Sequence, residues 1–192
     1  MEKLIKEIKD GIFTVGIDDS VHERGERLTK LFFIFCRGQF IEKISHTDIE
    51  VDGFDATEAI IRVLLSEKKD CFSLILTHGI TTGGFNLIDI EKIWQSVRKP
   101  IISVTENKPM GDSMLKAIKK LPDHKTREEI FVRAGPLLSV QTELGRNKLY
   151  FHIKGISISL AKKFLKKFAI RSRLPEQLLL AHKIASGWQN PI

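Results

Sequence analysis

Three apolar segments near the start of the chain, Ile12–Ile17, Leu28–Cys36 and Phe40–Val51, follow one another with short links, the second of them only the turn Arg37-Gly38-Gln39. Successive strands joined in this way form an antiparallel meander. The period then changes. Asp55–Leu65 places Ala56, Ala59, Ile60, Val63 and Leu64 on one helical face, and after it come an apolar strand at Cys71–Leu76, a glycine-rich loop, a helix over about Leu87–Arg98 and a strand at Pro100–Val104. A meander followed by α, β, α, β crossovers predicts an α/β fold with a mixed sheet, helices covering its faces. No repeat, low-complexity tract or linker interrupts the 192 residues, so residues 1–192 read as one domain with a basic C-terminal extension from about residue 137. In that extension, Leu137–Thr142 and Lys148–Ile153 flank Glu143-Leu144-Gly145-Arg146-Asn147 as a hairpin. Ser157 or Ser159 caps a helix whose Ala161, Phe164, Leu165 and Phe168 are buried, and a last helix runs from Pro175 to near Gly187.

This order of elements is that of the ribonuclease H-like fold, in which strands one and four lie side by side and parallel. Alternation through Phe13, Val15 and Ile17 carries the first strand into the core, and it ends on two adjacent carboxylates, Asp18 and Asp19. The two point to opposite faces if the strand persists. Asp18 then neighbours His78, and Asp52 and Asp55 reach the same edge, where open α/β sheets gather ligands. Carboxylates converging there repel one another unless a divalent cation neutralises them, and hard oxygen ligands suit Mg²⁺ or Mn²⁺. The competing reading of each single aspartate is a cap or turn former.

The loop His78-Gly79-Ile80-Thr81-Thr82-Gly83-Gly84-Phe85-Asn86 has no lysine and fails the P-loop pattern, which excludes nucleotide triphosphate hydrolysis on that ground. Gly83, Gly84 and Asn86 can approach a phosphate or base through the backbone; alternatively Asn86 caps the next helix and Asp89 stabilises its first turn. His22, His46, His124, His152 and His182 show no zinc-ligand spacing, Gly-x-Ser-x-Gly is absent, and Trp94 and Trp188 read as core anchors.

Charge is distributed unevenly. Residues 1–100 carry 14 Lys and Arg against 17 Asp and Glu, whereas residues 101–192 carry 17 against 7. From Leu144 to Pro175 there is no acid, while Arg146, Lys148, Lys154, Lys162, Lys163, Lys166, Lys167, Arg171 and Arg173 are basic, the footprint of a surface for phosphate backbones. Cys36 and Cys71 sit in apolar runs as buried thiols, and neither a signal peptide nor a membrane-length apolar run is visible, which suits a soluble cytoplasmic protein.

Four blocks, Gly16-Ile17-Asp18-Asp19-Ser20, Val51-Asp52-Gly53-Phe54-Asp55-Ala56-Thr57, Gly83-Gly84-Phe85-Asn86-Leu87-Ile88-Asp89 and Leu174-Pro175-Glu176-Gln177-Leu178-Leu179-Leu180-Ala181-His182, resemble the archaeal endonuclease dU family, a distant relative of endonuclease V. The resemblance implies a ribonuclease H-like core and metal-dependent nicking of damaged DNA, duplex or single-stranded, that contains deaminated bases, deoxyuridine in particular. It implies Asp18 as a metal ligand, matching the strand-one aspartate of Gly-Val-Asp-x-Ser, and Asp55 as the second carboxylate. Where endonuclease V has Asp-Gly at strand four, this chain has Thr77-His78-Gly79. His78 is then a ligand or proton donor, with Asp19, Asp52 or Asp89 as further carboxylates. The alternative is a ribonuclease H-like module that has lost catalysis and keeps its basic flank for nucleic acid or a protein partner.

Overall fold

The computed structural model describes residues 5–68, 71–108, 111–144 and 147–188. Strands β1 (Phe13–Asp19), β2 (Leu28–Arg37) and β3 (Phe40–Glu50) form the meander. Helix α1 (Ala56–Ser66) leads to β4 (Leu74–His78), the short pair β5 (Thr81–Thr82) and β6 (Asn86–Leu87), α2 (Ile90–Val97) and β7 (Ile101–Thr105). Then come α3 (Gly111–Ile118), α4 (His124–Arg133), β8 (Leu138–Val140), β9 (Leu149–Lys154), α5 (Ile158–Phe168) and α6 (Glu176–Gly187). One seven-stranded sheet has the order β3-β2-β1-β4-β7-β9-β8. Strands β1, β4 and β7 run parallel at its centre, with β2 and β3, the rest of the meander, on one side and the antiparallel β9 and β8 on the other. The mixed sheet and the adjacency of strands one and four are those expected from the sequence.

Alternation along the strands divides the core in two. Val15 and Ile17 of β1 pack with Phe33, Ile75 and Ile101 beneath α1 and α2. On the other face Leu74, Leu76, Ile102, Val104 and Phe151 meet Phe164, Leu165 and Phe168 of α5 and Leu178 of α6, while Ala181 and Ala185 of α6 lie on Phe32, Ile34 and Cys36. Burial of large apolar side chains of this kind contributes about 1.5–3 kcal/mol each.

Two local expectations shift. The strand placed at Cys71–Leu76 starts at Leu74, because the Cys71 amide closes a turn on Lys68 O. The helix placed from Leu87 starts at Ile90, because Thr81–Thr82 pairs with Asn86–Leu87 first and Asp89 caps the helix. The hairpin of the C-terminal segment joins the main sheet through β9; Gly145 and Arg146 in its link lie outside the described residues. Ser157 caps α5 and the buried stripe is the one read from the sequence. Trp188 differs: it is 37 % exposed at the end of α6, against Phe32 and His46. No described helix is long and apolar enough to cross a membrane.

Helix α6 lies against the backbone of β1. A Cβ on Gly16 would stand 2.8 Å from the carbonyl carbon of Gln177 and closer still to its oxygen, so only glycine admits the helix here. The start of α6 is pinned by buried polar groups: the Gln177 amide donates to Gly38 O at 2.6 Å, and the Glu176 carboxylate, 1 % exposed, accepts from the Arg171 amide at 2.9 Å and from its guanidinium at 2.5 and 2.7 Å. An unpaired carboxylate so buried would be strongly destabilising.

Candidate active site

Asp18 is placed by the last turn of the pleat in β1, paired with Phe32 on one side and next to the end of β4 on the other. Being even-numbered in that strand it faces α6, and the carboxylate is 6 % exposed. Two imidazoles converge on one of its oxygens. Nδ1 of His78, at the end of β4, lies 3.0 Å from Asp18 Oδ2, and Nδ1 of His182, from the middle of α6, lies 2.9 Å from the same atom. The two rings meet edge to face with centroids 5.3 Å apart. Asp18 Oδ1 accepts from the Asp19 amide.

Electrostatics in this corner favour positive charge. Burial alone would hold the His78 imidazole below the ordinary histidine range. The hydrogen bond to Asp18 and the negative charges of Asp18, Glu106 and Asp19 outweigh it, so the pKa is raised. Among the described residues, the group of carboxylate, imidazole or thiol atoms close enough to share an ion is Asp18, His78 and His182, all within 4.8 Å of one another. One carboxylate and two imidazoles form a mixed donor set that suits Mn²⁺ and later transition ions better than Mg²⁺.

The other aspartates picked out in the sequence do not join this group; their oxygens are used in loops. Asp19, facing the other way, accepts from Thr82 Oγ1 at 2.9 Å and from the Gly83 amide at 3.0 Å, and burial raises its pKa against the pull of those bonds. Asp52 accepts from the Phe85 amide at 2.8 Å. Asp55 accepts from the Glu50 amide at 3.1 and 3.2 Å and from the Asn86 side chain at 2.7 Å. Asp89 caps α2 through the Lys92 amide and pairs with Arg133 at 2.9 Å. For Asp52, Asp55 and Asp89 the turn-and-cap reading is the one the geometry realises.

The same bonds redirect the glycine-rich loop. The amides of Gly83 and Phe85, which would have faced a phosphate, donate to Asp19 and Asp52 instead. Gly84, at φ +79°, is needed because any Cβ would strike the Asp52 carboxylate. Asn86, fully buried, ties Glu50 O, Asp55 and the Ala56 amide, and so caps α1 rather than the helix that follows it. Arg127 of α4, 4 % exposed, clasps the carbonyls of Asp52, Gly53 and Phe85 and lies 4.0 Å over the Phe54 ring. This loop is a built support for the carboxyl edge of the sheet.

Of the basic residues, Lys162, Lys163 and Lys166 are exposed on α5. Lys167 is bound to Asp10 at 2.7 Å and Ile8 O, and Arg171 to Glu176. Arg173 donates to Glu106, whose charge acts on His78.

The sequence from residue 10 to 189 matches the family model described as Endonuclease dU. The chain belongs to the endonuclease dU family. A UPF0215 protein of Methanopyrus kandleri is 35 % identical over 185 residues, 95 % of this chain and 94 % of that one. Among solved structures, a protein of unknown function from Archaeoglobus fulgidus is 28 % identical with a TM-score of 0.80, covering 91 % of this endonuclease dU family chain and 96 % of its own. Endonuclease V of Ciona intestinalis, solved with DNA containing an inosine followed by a ribo-adenosine, aligns with a TM-score of 0.61 at 12 % identity, over 91 % and 84 % of the two chains. The fold is thus that of endonuclease V, ribonuclease H-like. Family and fold together support a nuclease-like role for this endonuclease dU family member.

His182 is the site residue that the histidine spacings miss. Its signal was present in the fourth family block, which ends on it.

Proposed function

We propose that this protein is a divalent-metal-dependent endonuclease that nicks DNA containing deaminated bases, with Asp18, His78 and His182 as the residues that hold the metal. The observation that carries the reading is the convergence of two imidazole nitrogens on one buried carboxylate oxygen at the carboxyl edge of the sheet. A metal bound there would supply Lewis-acid stabilisation of phosphate charge and an activated water. Asp18 provides the negative charge that binds the cation and orients both rings. His78, the more enclosed ring, would hold the ion through a neutral ring nitrogen; His182, half-exposed, stands on the solvent side. Arg173, held beside the site by Glu106, offers a cation to the phosphate, and Lys162, Lys163 and Lys166 offer contacts to the backbone of the strand.

The test offers the purified protein single-stranded and duplex oligonucleotides bearing uracil, hypoxanthine or only normal bases, with Mn²⁺, Mg²⁺ or EDTA. Metal-dependent nicks at the deaminated base that vanish in Asp18→Asn support the reading. Metal-free binding with no nicking by any ion would overturn it in favour of a binding module.

A further inference from the structure

Asp18 pairs with Phe32 across β1 and β2, and Phe32 pairs with His46 across β2 and β3. The three side chains therefore stand in one row, on the face of the sheet that carries α6. Two strand spacings of about 4.8 Å put His46 about 10 Å from Asp18. Helix α6 crosses the same row obliquely. His182 meets Asp18, and Trp188, a rise of about 9 Å further along, meets Phe32 and His46.

Phe32, His46 and Trp188 form a cluster of three rings with centroids 5.5 to 5.7 Å apart, inclined to one another by 41 to 56°. Phe32 is buried beneath the other two. His46 is exposed on the edge strand, and Trp188 keeps more than a third of its surface in water. Ile44, one row further from the carboxyl edge, is exposed as well. In the next row toward that edge the Lys30 ammonium holds Asp48 at 2.9 Å, so the acid beside the rings is already paired. Tryptophan is highly buried on average; here an indole and an imidazole lie open to solvent beside the candidate ion site, on a rigid base of strand and helix.

We propose that Trp188 and His46 form a stacking platform for an unpaired base of the substrate strand, within about three nucleotides of the phosphate that meets the ion site. The proposal rests on the nuclease reading for its ligand. A stacked strand advances about 3.4 Å per nucleotide, so about 10 Å is three steps, and an extended strand covers it in fewer. Every base has a π face, and the platform holds the strand without reading its sequence. It fits a single strand or a locally opened duplex, because the base faces of an intact duplex are closed by their neighbours.

The experiment is metal-free. With EDTA present, the Trp94→Phe protein, which keeps Trp188 as its single tryptophan, is titrated with a short deoxythymidine strand and with an abasic strand of the same length. Trp188 emission is expected to be quenched by the thymidine strand and unchanged by the abasic one. Trp188→Ala is expected to weaken binding of the thymidine strand about fivefold or more, the worth of one stacked base. Its affinity for the abasic strand and its salt slope should stay at wild-type values, since no phosphate contact is lost, and Trp188→Phe should recover most of the affinity. Should Trp94→Phe fail to fold, the affinity comparison in Trp188→Ala decides alone. Wild-type affinity of Trp188→Ala for the thymidine strand, or an equal loss for both strands, overturns the proposal and returns Trp188 to a cover for Phe32. Quenching by the thymidine strand without nicking under Mn²⁺ would defeat the nuclease reading and leave the platform standing; nicking with an unaltered Trp188→Ala affinity would do the reverse.

Discussion

Replacing Gly16 by alanine tests whether the sheet and α6 hold the candidate site by direct backbone contact. The new methyl would lie 2.8 Å from the Gln177 carbonyl carbon and closer still to its oxygen, where ordinary contacts begin at 3.4 Å, so α6 must retreat by at least 0.6 Å. The obstacle is backbone, and no side-chain rotation can relieve it. Overpacking of this kind costs about 1–3 kcal/mol; for a domain of this size each kcal/mol lowers Tm by about 2–4 °C. The helix is rigid and His182 is five residues further along it, so the retreat is passed on to the Nδ1 that now sits 2.9 Å from Asp18. A displacement approaching 1 Å at a ligand is costly, and Mn²⁺ affinity by calorimetry should fall about tenfold. In a His182→Ala background, where the ligand is already gone, Gly16→Ala should lower Tm as before but cost no further affinity. Gly187, with no described atom within 4 Å of its hypothetical Cβ, is the control whose alanine variant should keep both properties. A Gly16→Ala protein with wild-type melting and wild-type Mn²⁺ binding would refute the reasoning.

Mn²⁺ at 100 times its Kd should stabilise the native protein by about 2.7 kcal/mol, and Asp18→Asn should lose that gain in thermal melts. His78 and His152 predict opposite pH slopes for the metal-free protein. His78, raised by its acidic surroundings, contributes stability that is complete below the ordinary histidine value of 6.5 and fades as pH rises through its folded pKa; His152, lowered by burial, makes stability fall as pH drops below 6.5. Melting in EDTA should therefore peak near that value, with Asp18→Asn flattening the alkaline side and His152→Ala the acidic side. Replacing Lys162, Lys163 and Lys166 together by glutamine should weaken oligonucleotide binding and reduce the salt slope by about 0.7–0.9 for each phosphate no longer neutralised; an unchanged slope would return these lysines to a solvated face. Lys167→Gln, by contrast, should lower stability slightly, since that lysine is engaged with Asp10.

The order of elements was legible because period and link length dictate it: a meander, then crossovers, leaves few sheets to choose from. Asp18 was legible for the same reason, as an ionisable group at the buried end of an alternating strand. For Asp52, Asp55 and Asp89, a carboxylate that caps a turn and one that binds a cation look alike in a sequence; what separates them is whether N–H donors lie within reach, and besides near ones such as the Glu50 amide for Asp55 and the Lys92 amide for Asp89, some come from residues 30 or more positions away, such as Asn86 for Asp55 and Phe85 for Asp52. His182 was hidden for the opposite reason. A helix near the end of the chain gives no local hint of which strand it will lie on, and Gly16, the residue that admits it, lies 161 positions before Gln177.

The distance in sequence between Asp18 and His182 has a consequence for synthesis. Strands β1 to β7 can pair while later residues are still being made, yet His182, the third member of the candidate site, emerges only with α6. A nascent or truncated chain that stops before residue 176 would carry the sheet, Asp18 and His78 but an incomplete ion site. On the proposed reading, ion binding is gained only once α6 has packed on β1.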